Sequence, residues 1–142
     1  MKSFTDKELG HFVANKSAGD YSGRFSYEGR DIDLSIEADD ERQLLVQMEW
    51  ARSALAKIDE WVRLGRIGAC KEYLAVKNES WLSGGEVPLG ADEFKSRLKL
   101  SSIDIGLEDS IGLQFEDDGM FAGHSVFVDM SPDEKPTASL YG

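Results

Sequence analysis

The chain has 142 residues, of which 41% are hydrophobic and 30% charged, a composition typical of one globular domain that excludes a disordered chain. Its net charge is −11, and its single cysteine can form neither an internal disulfide nor a zinc site built from thiolates. Residues 1–12 lack the apolar stretch of a secretory signal, and no apolar run approaches the roughly 18 residues of a membrane span, so we expect a soluble cytoplasmic protein with no membrane partner.

The first third of the chain has the pattern of β-strands. Residues 9–15 form a short apolar run, and residues 21–38 indicate a β-hairpin that turns at 28–30. The second half of this hairpin alternates strictly, with Ile32 and Leu34 apolar and the residues beside them polar. This period of two predicts a strand with one buried face and one wet face.

The middle of the chain has the pattern of helices. Apolar residues recur at steps of three and four over residues 40–64, which predicts an amphipathic helix capped by Asp39 or Asp40. Gly65 is expected to end this helix, and residues 66–82 are expected to form a second one.

The last third returns to short strands. Residues 83–90 predict a loop, and residues 91–100 predict a helical turn, capped by Asp92, that passes into a strand. Alternating segments predict strands at 98–107, 110–116, 121–130 and 137–142, with a loop between the last two. Strands, two helices and then strands indicate an α+β fold. We therefore expect a single domain, 1–142, with a largely antiparallel sheet built from N- and C-terminal strands and two helices packed on one face.

Acidic residues are concentrated in the last third. Residues 100–142 contain nine acids and one lysine, and no basic residue lies between Lys99 and Lys135. This charge repels nucleic acid and attracts a basic protein, so we expect an interaction module, immunity-type or regulatory, whose acidic edge is formed by 104–118 and 129–134. The predicted partner-binding residues are Asp104, Glu108, Asp109, Glu116, Asp117, Asp118 and His124.

The stretch FEDDGMFAGHSVFVD is the strongest candidate for chemistry. Its Asp-Asp-Gly predicts a turn, and His124 is expected inside the strand that follows. A metal needs three or four ligands, and the regular oxygen spacing of a calcium loop is absent, so we predict neither a metal nor a cofactor. The alternative function is a small enzyme or ligand-binding domain centred on His124 with Asp117 or Asp118. It requires a cleft in which His124 faces a carboxylate.

The C-terminal residues 137–142 form the last predicted strand, which is expected at an edge of the sheet. Exposed edges invite pairing with another chain unless they are charged or covered. If the chain self-associates, we therefore expect a homodimer that forms through this edge strand.

Residues 93–129, which end in Phe121, Gly123 and His124, resemble the C-terminal signature of a bacterial family known as domain of unknown function 2262. The preceding segment 70–82 resembles the second helix of that family. The resemblance implies a compact bacterial α+β domain and supplies no catalytic residue. Small acidic domains of this kind are also similar in composition to the immunity proteins that neutralise secreted toxins, which is an analogy of class and charge.

Overall fold

The computed structural model describes residues 3–142. In chain order, the elements are β1 (Ser3–Asp6), β2 (Gly10–Asn15), β3 (Asp20–Tyr27), β4 (Arg30–Glu37), α1 (Glu41–Ala56), α2 (Ile58–Ser80), α3 (Ala91–Arg97), β5 (Lys99–Ile105), β6 (Ile111–Glu116), β7 (Ser125–Ser131) and β8 (Glu134–Tyr141).

The strands form one eight-stranded sheet in which the spatial order is the chain order. Neighbouring strands are antiparallel except β4 and β5, which are parallel because all three helices lie in the connection between them. The predicted α+β class, with a largely antiparallel sheet, is confirmed.

The helices pack on one face of the sheet, and alternation along each strand decides which side chains meet them. In β4, Ile32, Leu34 and Ile36 are buried. The residues between them, including Asp33 and Ser35, point to the opposite face. Burial of the apolar row supplies the main driving force for this layer of the fold.

The helical region differs from the prediction at Gly65. Asp40 caps α1, because its carboxylate accepts a hydrogen bond from the Gln43 amide at 2.8 Å. The helix then breaks at Lys57, and α2 continues straight through Gly65, so the prediction that Gly65 ends a helix is wrong. A Cβ on Gly65 would lie 3.1 Å from Leu113 Cδ1, so this glycine serves the close approach of α2 to the sheet.

Other differences concern the ends of elements. Strand β1 was not predicted, and α3 is capped by Gly90 rather than by Asp92, which lies in its first turn. The predicted loop before the last strand is only a two-residue turn, since Ser131 pairs with Glu134 across the β7–β8 hairpin. Among the described residues, no helix is both long enough and apolar enough to cross a bilayer.

Candidate functional site

The face of the sheet opposite the helices is open and mostly polar. Its central cross-strand row runs through Ser35, Asp104, Gly112, Asp129 and Thr137, which follow one another in register from β4 to β8. Because side chains alternate along a strand, these positions point away from the helices. We call this surface the open face.

Acidic residues crowd one end of the sheet, where β4 and β5 end and β6 begins. We call this region, residues 16–20, 37–42, 104–110 and 129–135, the acidic end. It contains eleven acids and three bases. The acids are Asp20, Glu37, Asp39, Asp40, Glu41, Asp104, Glu108, Asp109, Asp129, Asp133 and Glu134, and the bases are Lys16, Arg42 and Lys135. Most of the net charge of the chain therefore lies at this end.

Asp104 is the most enclosed carboxylate that the acidic end contributes to the open face. Its Oδ1 accepts a hydrogen bond from the Ser35 hydroxyl at 2.9 Å. Partial burial, together with the negative charges of Asp20 and Asp129, raises the pKa of Asp104, and the Ser35 hydrogen bond offsets part of that rise. Asp20 behaves similarly: partial burial and the nearby Glu37 raise its pKa. These carboxylates lie close enough to repel one another, and a cation placed among them would relieve that repulsion.

Glu108 and Asp109 form the two central positions of the tight turn between β5 and β6. Both have φ of 57°, as in the turn type that matches the twist of a hairpin. Helix α1 holds the turn from below, because Gln47 Nε2 donates to Gly106 O at 2.8 Å and Trp50 Nε1 donates to Ser110 O at 2.9 Å. Their carboxylates are exposed and make no hydrogen bond or ion pair within residues 3–142.

Three shallow cavities open at the acidic end. One, of about 410 Å³, lies between Asp20 and Asp40. A second, of about 240 Å³, lies against Asp20 and Asp104, and a third, of about 340 Å³, is lined by Glu108 and Asp129. Within the described part of the chain, no group of three or more His, Cys, Asp or Glu side chains could hold a metal ion. The acidic end therefore offers a concave, negatively charged surface.

A model of a bacterial protein family matches residues 6–139. The chain belongs to that family, domain of unknown function 2262, whose description is "uncharacterized protein conserved in bacteria". This confirms the resemblance seen in the sequence. No curated protein and no solved structure matches the chain.

In this member of the 2262 family, Asp117 organises the turn that contains Phe121, Gly123 and His124. Its side chain is buried, with 5% of the residue exposed. One oxygen accepts from the Gly119 amide at 3.0 Å, and the other accepts from the amides of Phe121 and Gly123 at 2.8 and 3.0 Å. Three internal donors thus occupy this carboxylate, which leaves it little capacity for a ligand.

Asp118 and Glu116 are paired with basic side chains. Arg97 Nε donates to Asp118 Oδ2 at 3.0 Å, and Arg97 Nη2 donates to the Asp118 carbonyl oxygen at 2.7 Å. Glu116 lies 3.4 Å from Arg30. Strand β6 separates these acids from Glu108 and Asp109 by roughly 17–20 Å, so the predicted acidic residues lie at two opposite ends of the sheet.

His124 lies in the turn just before β7, so the expectation that it is inside the strand is wrong. Its Nδ1 is 2.6 Å from the Phe121 carbonyl oxygen, which assigns the proton to Nδ1, and its ring packs edge-on against Trp81 at 5.6 Å between ring centres. The Asp117 carboxylate is bonded to backbone amides instead, and His124 lines none of the cavities described above. The structure therefore does not bring His124 and Asp117 together as an acid–base pair.

Strand β8 forms one edge of the sheet, where the homodimer is predicted. The Tyr73 hydroxyl of α2 lies 3.5 Å from the Ala138 carbonyl oxygen, and Pro136 has no N–H to offer a second strand. A covering helix and an edge proline are both devices by which proteins limit strand pairing. The homodimer remains a prediction.

Sequence reasoning did not include Asp20 and Glu37 in the candidate site. The register of the sheet brings both residues close to Asp104. Asp20 pairs with Glu37 across β3 and β4, and β4 pairs with β5 next to Asp104. Alternation in residues 31–38 places Glu37 on the wet face, and this was the one available signal.

Proposed function

We propose that the chain is a non-enzymatic interaction module, immunity-type or regulatory, that docks a basic surface of a partner protein on its acidic end. The observation that carries the proposal is the excess of carboxylates there, eleven acids against three bases, on a surface with shallow cavities. Glu108 and Asp109 project from a turn whose backbone is already held by α1.

Glu108 and Asp109, which make no hydrogen bond or ion pair within residues 3–142, distinguish the acidic end from the opposite end. A carboxylate that already accepts three amides, like Asp117, gains little from a new partner. An exposed carboxylate without an internal partner has all its hydrogen-bonding and ion-pairing capacity available for a lysine or arginine of another protein. The rigid turn at Glu108 and Asp109 also limits the conformational entropy lost on binding.

Charge of this kind acts on association rate and specificity. A negative patch steers a positively charged protein toward it and repels nucleic acid. Because the Debye length falls from about 10 Å at 0.1 M salt to about 3 Å at 1 M, the affinity should fall steadily as salt rises.

The decisive experiment compares two variants of equal net charge. The site variant combines Glu108→Gln, Asp109→Asn and Asp129→Asn. The control variant combines Glu72→Gln, Glu79→Gln and Glu93→Gln, which removes three exposed carboxylates from the helices. Proteins captured by the full-length wild type from a lysate of its own bacterium are purified, and each is titrated against all three proteins from about 50 to about 400 mM NaCl.

We expect the site variant to bind the partner roughly tenfold more weakly, from about 0.5 kcal/mol for each of three exposed ion pairs. The control variant should bind like the wild type, because its missing charges are remote from the acidic end. Equal weakening in both variants would mean that only net charge matters, and affinity that does not change with salt would contradict an electrostatic interface.

A further inference from the structure

An aromatic pair, Phe127 and Tyr141, lies on the open face. Phe127 lies half-buried on β7, and Tyr141 on β8 is 60% exposed. Their ring centres are 5.8 Å apart at an interplanar angle of 85°, an edge-to-face contact. The positions around them on this face, such as Gln114, Ser125 and Ser139, are polar, so the pair stands out from its surroundings.

Gly112 determines where the Phe127 ring lies. A Cβ on Gly112 would be 2.5 Å from Phe127 Cζ and 3.1 Å from Cε2, so the tip of the ring occupies the space of the missing side chain. In the register of the sheet, Gly112 lies directly between Asp104 and Asp129. Because adjacent strands are about 4.8 Å apart, the Cα atoms of these two acids are about 10 Å apart, with the ring tip between them.

An aromatic ring flanked by two carboxylates favours a cationic ligand. The ring face attracts a cation, and the carboxylates accept hydrogen bonds from it. Guanidinium is planar, stacks on a ring and can donate two parallel hydrogen bonds to one carboxylate at the same time. An ammonium group is a compact, strongly hydrated charge with no planar face, so it does not stack on a ring or present two parallel hydrogen bonds to one carboxylate.

We propose that Phe127, with Tyr141 beside it, selects an arginine of the partner protein, whose guanidinium stacks on the Phe127 ring and donates to Asp104 or Asp129. The inference rests on the proposed function, because it names the side chain by which a basic partner engages the same surface. The occupant is an arginine-bearing segment of another protein. A second copy of this chain is disfavoured, since each copy carries a net charge of −11.

The test uses two defined probes, N-acetylated and C-amidated hexa-arginine and hexa-lysine, titrated against the full-length protein at constant salt. Phe127→Leu removes the ring and keeps an apolar side chain. Phe25→Leu makes the same change on the helix-covered face of β3 and is the matched control. Gly112→Ala is a second test that leaves Phe127 in the sequence but displaces its ring tip. Circular dichroism confirms that each variant is folded.

The wild type should prefer hexa-arginine, and the Phe127→Leu and Gly112→Ala variants should lose about two- to fivefold of that preference, as expected for an exposed cation–π contact. Phe25→Leu should retain it. An unchanged arginine preference in Phe127→Leu would overturn the inference. The proposed function would survive that result if the Glu108, Asp109 and Asp129 site variant still bound both peptides more weakly than the helix control variant, and it would fail if those two variants bound alike.

Discussion

Two acidic turns lie at the two ends of β6, and they use their carboxylates in opposite ways. In the turn at residues 107–110, α1 side chains hold the backbone, and the carboxylates of Glu108 and Asp109 point into solvent. In the turn at residues 117–123, the Asp117 carboxylate itself holds the backbone, through three amide hydrogen bonds.

The comparison shows that neighbouring acids in a sequence do not indicate a binding surface by themselves. A carboxylate is available to a partner only when the fold satisfies the turn in some other way. The first turn has this property because Gln47 and Trp50 reach it from the helix layer. In the second turn, Arg97 of α3 donates to the Asp118 carbonyl oxygen, but three backbone amides of the turn depend on the carboxylate of its own Asp117.

The largest effect should come from Asp117→Ala. It leaves three amides without their acceptor, including the buried Phe121 amide, and each unmade buried hydrogen bond costs about 1–3 kcal/mol. We expect a loss of about 3 kcal/mol in the free energy of unfolding, measured by urea denaturation. Asp118→Asn is the control, because Asn tolerates the φ of 50° at this position and the exposed ion pair with Arg97 should contribute less than about 1 kcal/mol. Similar losses in the two variants would remove the distinction between a turn held by its aspartate and one that merely contains acids.

Gln47→Ala should have the next largest effect, because it leaves the Gly106 carbonyl without its donor from α1. Gln47 is 4% exposed. We expect a loss of about 1–2 kcal/mol and faster hydrogen exchange at residues 106–110. Unchanged exchange in this turn would show that α1 does not hold it.

Asp104→Asn should change stability in the opposite direction. A carboxyl whose pKa is raised by folding contributes most below its unfolded value of 3.8, and that contribution is lost as pH rises through the folded pKa. The variant avoids this loss and keeps an acceptor for Ser35, so it should be more stable than the wild type at pH 7, with the gain shrinking below pH 3.8. The Asp104→Asn variant should also bind the basic partner more weakly, because residues that serve function often lower the stability of the fold. Thermal melts at pH 7 and below pH 3.8 measure this difference in stability. Glu72→Gln is the control for net charge. An equal gain in stability in that control would assign the effect to net charge alone.

The smallest effect on stability should come from the pair Glu108→Gln and Asp109→Asn. Both side chains are exposed and unpaired, and Asn tolerates the φ of 57° at least as well as Asp. We expect the free energy of unfolding to stay within about 0.5 kcal/mol of the wild type. A larger loss would mean that these carboxylates support the turn, as Asp117 does in the other one.

Local alternation predicts much of the fold. A period of two identifies the inward and outward faces of residues 31–38 and 110–116 directly, so the buried positions of Leu34 and Leu113 follow from the sequence. Gly65 shows the limit of such reasoning. Glycine both ends helices and permits close packing, and only the sheet beneath α2 decides between these roles.

The candidate site is less predictable, because it is assembled by long-range pairing. Glu37 and Asp104 come to one end of the sheet only because β4 and β5 pair in parallel across residues 38–98, and no local period encodes that register. The role of Asp117 depends on the backbone path of residues 119–123. The sequence Asp-Asp-Gly predicts a turn, but it does not predict which backbone amides donate to the Asp117 carboxylate.

The parallel pairing of β4 with β5 also divides the sheet into two four-stranded meanders, each built entirely from neighbouring hairpins. Hairpins between adjacent strands form quickly, whereas closing a loop as long as residues 38–98 costs entropy before it gains contacts. We therefore expect the two meanders to form first and the central seam to join them last. Until β4 and β5 pair, each meander has one unpaired apolar strand. Slow pairing therefore favours domain swapping, in which two chains exchange meanders, at high protein concentration.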